Sequence, residues 1–219
     1  MKTPRKLSNI EALSYYRAVL STAGTVSDIS LALQKNGYTQ EVLKEGHTLL
    51  DKAKEIYDRN LLKKDELAEA RLRYTMKKKE IEAMFRIHRN KALLIFKNYP
   101  RELKRLAIDG KYPRTHDHWF ETLRKFYTLA SKDRKIRLRL ERLQLTGEEI
   151  ESGLKSVLRL ENLYAAYLKH KGESQHMTIV KDSAFDELHD WMVVFFSLAR
   201  LSLKGSPALM SSLARHLQV

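Results

Sequence analysis

Glu173 and His176 stand three residues apart, the Glu-x-x-His spacing with which helical bundles hold a carboxylate-bridged metal pair. Such a centre needs the motif twice and two further glutamates on facing helices. The chain has no second Glu-x-x-His; 107 residues earlier stand Glu66 and Glu69, with no histidine. The surrounding stretch is polar, so the expectation is a solvated pair and no metal. His116-Asp117-His118 precedes Trp119, but no third ligand stands at the spacing of a standard site, and a helix start explains it more simply. Asp186 and Asp190 share a helix face at i,i+4, with His189 and Trp191 beside them. That pair could hold a cation or raise one carboxyl's pKa; the simpler expectation is a face paired with basic residues of a neighbouring helix. No nucleophile elbow and no glycine-rich phosphate loop occurs. Cysteine is absent, so there is no thiolate chemistry and no disulfide framework. The residues therefore point away from an enzyme, and away from a cofactor or a small-molecule substrate.

The remaining chemistry is charge. The net charge is +14, and residues 61–145 carry +13 of it, against +2 for residues 1–60 and −1 for residues 146–219. A field so concentrated attracts polyanions. The candidate contacts are Lys77, Lys78, Lys79, Arg86 and Arg89 on one segment, and Arg134, Lys135 and Arg137 on another. If the two segments are neighbours they form one basic groove, whose hold on nucleic acid would be at the backbone and steeply salt-dependent. No aromatic residues interleave with these cations and no binding motif accompanies them, which favours a solvated basic face.

The elements that must carry these residues are helices. Leu, Lys, Arg, Glu and Ala abound, while Pro and Gly number only 4 and 8. The chain also matches itself at an offset of 107 without a gap: Leu33 with Leu140, Thr39 with Thr146, Gly46 with Gly153, Tyr57 with Tyr164, Ala92 with Ala199, Leu94 with Leu201 and Pro100 with Pro207. Conservative pairs such as Leu72 with Ile179 fill in between. The matches are mostly core and cap positions, so what repeats is a packing plan.

Ser8 with Glu11 forms a capping box and opens a helix over 8–35, which Gly37 ends in a left-handed C′ position. Thr39 caps the next helix. Residues 58–66, DRNLLKKDE, are polar, as are residues 169–177 in the second copy, so a turn is expected in each, giving two helices per stretch instead of one rod of roughly 90 Å. Leu72, Met76, Ile81, Phe85, His88 and Ala92 continue as a core stripe. A short helix over 101–107 and a linker at Asp109-Gly110 close the first copy. The second begins with a helix over 118–143; Thr146 with Glu149 caps the fifth; a sixth runs over 174–203 and a last over 207–217. One aromatic of each neighbouring pair, Tyr15 with Tyr16 and Phe195 with Phe196, could be left over to line a dimer interface, but a wide core explains both pairs more simply.

Gly37-Tyr38-Thr39 with Leu43, Gly46 and Leu50, Pro113-Arg114-Thr115 with Trp119, and Asp190-Trp191-Met192 with Phe195 resemble a bacterial family of duplicated, all-helical proteins of about this length, whose role is not established. The resemblance implies the fold alone, since its motifs are caps and core. One departure is Gln144-Leu145-Thr146, where the first copy has Gly37-Tyr38-Thr39.

The expectation is an all-α, elongated helical bundle: two tandem copies of an up-down unit, 1–109 and 110–219, packed as one compact unit about a pseudo-twofold. The longest wholly apolar run is six residues, 191–196, where a spanning helix needs about 20, and the N-terminus lacks the apolar stretch of a secretory signal. A cytoplasmic protein with no membrane contact is expected. Its function is read as a non-enzymatic scaffold with a protein partner or a second copy of itself; the alternative is unspecific binding of nucleic acid or another polyanion through residues 61–145.

Overall fold

A computed structural model describes residues 7–214 of the chain. The described residues are all-α, with no strand. Eight α-helices follow in order: α1 (Asn9–Thr25), α2 (Ser27–Gln34), α3 (Gln40–Ile95), α4 (Pro100–Arg105), α5 (His116–Lys132), α6 (Arg134–Leu140), α7 (Gly147–Ser202) and α8 (Pro207–Ala214), with a 3₁₀ turn (Glu141–Leu143) after α6. Residues 215–217 of the expected last helix lie outside the described residues. No helix among the described residues is long and apolar enough to cross a membrane. The bounds of α1, α3 and α4 recur 107 residues later as the starts of α5, α7 and α8, and α3 and α7 both have 56 residues.

The contacts divide the chain into two units. Unit 1 takes the residues up to Asp65 and those from Gly172; unit 2 is Glu66–Lys171. Each has its own core. In unit 1, Val19, Leu20, Ile29, Leu33, Leu43, Leu50, Leu188, Met192, Phe195 and Leu213 pack together. In unit 2 the cluster is Ile81, Phe85, Phe96, Leu106, Leu123, Phe126, Tyr127, Leu140, Ile150 and Val157. A glycine admits an aromatic ring in each. Trp191 lies on Gly46, and Tyr127 on Gly153, closer than any Cβ would allow.

The caps formed as the residue types dictate. Ser8 and Glu11 make both bonds of their box, with the Ser8 N–H donating to Glu11 Oε2 at 2.7 Å. Thr146 N–H donates to Glu149 Oε2 at 2.9 Å and Glu149 N–H to Thr146 Oγ1 at 3.2 Å. Gly37 is left-handed at φ 87°, and Gln144, its counterpart, is held at φ 55°. A non-glycine residue there is strained; the Lys91 ammonium, donating to the Gln144 carbonyl at 3.2 Å, ties the turn down.

Two expectations need correction. The expected helices over 8–35 and 118–143 are each broken, at Val26 and at Asp133, whose ψ values of 109° and 102° are extended. Before the first break the Thr22 and Thr25 hydroxyls donate back to the Ala18 and Ser21 carbonyls, a bond that bends helices. At the second, Asp133 leaves the helix and caps the next, accepting from the Lys135 and Ile136 N–H groups. The expected turns at 58–66 and 169–177 are also absent: α3 and α7 run through. The polar residues there build a layer between helices within unit 1. Buried Asn60 donates to Thr178 Oγ1 at 3.2 Å, Thr178 donates to the Ser174 carbonyl, and Lys63 pairs with Glu173 at 3.1 Å. The helix is reinforced by Lys54–Asp58 and Arg59–Glu55 pairs at i,i+4.

Candidate interaction surface

Unit 2 carries a second apolar stripe that its core does not use. Ile81, Phe85, His88 and Ala92 of α3 point inward as expected, but Leu72 and Met76, read as core, do not. Leu72, Ile87 and Leu94 are 59%, 58% and 71% exposed. At 3.6 residues per turn they fall with Met76 and Ala83 in one sector of roughly 60°. A shallow groove of about 440 Å³ follows this face, lined by Lys79, Glu82, Ala83, Arg86, Ile87 and Asn90. Lys79 forms no ion pair among the described residues.

Unit 1 carries a stripe of its own on α7. Ile179, Val194 and Leu201 are 68%, 60% and 64% exposed. These positions follow Leu72, Ile87 and Leu94 by 107 residues, so the same register of an equal-length helix is apolar and turned to water in both units. The positions between them differ in charge: where the first stripe has cationic Lys79 and apolar Ala83, the second has the acids Asp186 and Asp190. Both acids are exposed and, among the described residues, have no ion-pair partner. Of the expected paired acidic face only Glu187 is engaged, with Lys52 at 2.6 Å. His189 Nδ1 meets the Tyr16 hydroxyl at 2.8 Å.

Of the histidines singled out from the sequence, His116 is a packing residue, while His118, His176 and His189 are exposed. His116 Nε2 lies 2.8 Å from the Tyr74 hydroxyl and Nδ1 lies 3.1 Å from Asp117 Oδ1. A hydroxyl–imidazole–carboxylate chain looks like an activated nucleophile, but burial, the largest cause, pushes Tyr74 up to about 12, with the neighbouring Tyr164 and Tyr167 adding to it. An activated hydroxyl needs the opposite shift. The His116 ring also lies between Tyr164 and Phe120, tilted against both, at 4.2 and 4.7 Å between ring centres, along an open groove of about 410 Å³. A buried relative of this pair joins His88 Nδ1 to the Tyr127 hydroxyl at 2.9 Å; burial lowers the His88 pKa and raises that of Tyr127, so both partners are held neutral. These long-range Tyr–His pairs left no signal in local spacing. Glu173 pairs with Lys63, and His176 is exposed. Tyr15 and Tyr16 are both buried, Tyr15 stacking on half-buried Phe196.

Several of the cations proposed for polyanions have internal work. Lys77 pairs with Glu80 at 2.6 Å, Lys78 lies over Trp119, and Arg86 over Tyr112. Arg89 donates to the Ile108 and Gly110 carbonyls at 3.3 and 2.5 Å, closing the loop before α5. Arg137 reaches the Ser131 carbonyl at 3.5 Å. Lys79, Arg134 and Lys135 are exposed, and none of the three has an ion-pair partner among the described residues.

No family model, curated protein or solved structure matches the chain.

Proposed function

We propose that this protein is a non-enzymatic interaction scaffold, made by tandem duplication of one helical unit, whose working surfaces are the two exposed apolar stripes. The carrying observation is that three large apolar side chains stand in water at the same register of α3 and α7. Single exposed apolar residues need no explanation, but a repeated line of them marks an interface. Burying one such side chain fully contributes roughly 1.5–3 kcal/mol. An exposed ion pair contributes about 1 kcal/mol at most, so apolar contact dominates what these faces can offer a partner. The recurrence of helix bounds at 107 residues supports the duplication.

A second reading, unspecific polyanion binding, is favoured by exposed Lys79, Arg134 and Lys135. One experiment separates the two. The wild type and a Leu72→Gln/Ile87→Gln/Leu94→Gln variant are compared for protein capture from the native extract and for anisotropy with a labelled DNA duplex across a salt series. The scaffold reading expects the variant to keep its helicity and lose the captured proteins, at low and physiological salt alike. Capture unchanged by the variant, with duplex binding that falls steeply as salt rises, would replace it with the polyanion reading.

A further inference from the structure

The two stripes differ in a way that selects their partner. Residues 71–94 carry 8 basic and 2 acidic side chains, while residues 178–201, at the same register, carry 2 basic and 4 acidic. Within the stripes themselves the reversal is sharpest at one position, Lys79 in the first and Asp186 in the second. Both side chains are exposed, and neither has an ion-pair partner among the described residues. Each surface therefore has the apolar pattern and the charge that the other lacks.

We infer that the occupant of the α3 stripe is the α7 stripe of a second copy of this chain. The inference rests on the scaffold reading and names its partner. Pairing the two helices in equal register puts Leu72 against Ile179, Ile87 against Val194 and Leu94 against Leu201. It also puts polar against polar, Asn90 with Ser197, and Lys79 against Asp186. Two identical stripes would not do this: α3 on α3 sets Lys79 against Lys79, and α7 on α7 sets Asp186 against Asp186. Opposite charges across an interface fix register and exclude the wrong pairing. The shallow groove beside Ile87 offers the facing side chain a place to seat.

The test is sedimentation of the full chain over a concentration series reaching about 100 μM, a range that registers dissociation constants from nanomolar to that limit. The wild type is expected to self-associate. Lys79→Asp and Asp186→Lys are each expected to weaken association by about tenfold or more through like-charge contact, with helicity unchanged because both sites are exposed. The double variant Lys79→Asp/Asp186→Lys is expected to restore it. An equimolar mixture of the two single variants is also expected to associate, since each then finds its complement. A wild type that stays monomeric throughout would overturn the second copy as partner, and would leave the stripes to another protein. Association that ignores both charge reversals would overturn the equal-register pairing of α3 with α7.

Discussion

Gly153→Ala is expected to destabilise unit 2 by about 3 kcal/mol, the upper part of the usual cost of overpacking a core. The added methyl would stand 2.6 and 2.7 Å from Tyr127 Cδ1 and Cζ, and nearer still to Cε1. The ring has no retreat. It is fully buried, packs edge-on to Phe126 at 5.1 Å between centres, and is anchored through its hydroxyl to His88. Alanine's better helix propensity returns about 1 kcal/mol, too little to change the sign. Thermal unfolding followed by circular dichroism should show a fall of several degrees, at roughly 2–4 °C per kcal/mol for a chain of this size. Adding Tyr127→Leu to the variant should recover part of the loss by making room. Gly46→Ala should cost less, because Trp191 is only half-buried and can swing outward. A Gly153→Ala protein as stable as the wild type would mean that Tyr127 does not rest on that glycine.

Leu62→Pro is expected to cost about 3 kcal/mol or more, and it tests whether α3 is one helix. Leu62 is exposed, so the substitution removes little packing. What it removes is the Leu62 N–H bond to the Asp58 carbonyl, and the proline ring then collides with that carbonyl. A turn at 58–66 would accept proline without such a loss. The converse test lies in α7. A Cβ at Gly172 meets nothing within 4 Å, and the residue is exposed in mid-helix. Gly172→Ala should raise stability by about 1 kcal/mol; in a turn requiring glycine it would lower it. Melting temperatures of the two variants moving in opposite directions support continuous helices. Tolerance of proline together with a loss from alanine contradicts them.

The caps were legible because they are local. Ser8 with Glu11 and Thr146 with Glu149 need only three residues of spacing, and Gly37 needs only its own backbone freedom. The 107-residue offset was legible although it is not local, since it compares residue types directly. The break at Asp133 has a local signal, a capping residue three positions before buried Ile136. The absent turns were hidden because polarity has two causes. Residues 58–66 are polar in part because Asn60 and Lys63 bond across to Thr178 and Glu173, and such a layer cannot be told from a loop without the partner helix. The outward stripe on α3 was legible in the helical period. Leu72 and Met76 precede Ile81 and Phe85 by nine residues each, which at 3.6 residues per turn is two and a half turns, so the period sets the two groups on opposite faces of the helix. The charge reversal at 79 and 186 was written in the sequence, but it acquired meaning only once both positions lay on exposed, equivalent faces.

The central claim is that the outward stripes are contact surfaces, and its most direct measurement is photo-crosslinking from position 87. A benzophenone side chain replaces Ile87 in the full-length protein, and adducts are located by mass spectrometry after irradiation at micromolar concentration. The expected result is an intermolecular adduct on the α7 stripe of a second chain, centred on Val194 and lost when Asp186→Lys is introduced. Irradiation that yields no intermolecular adduct, with protein alone or in native extract, would contradict the claim and return Leu72, Ile87 and Leu94 to the solvent.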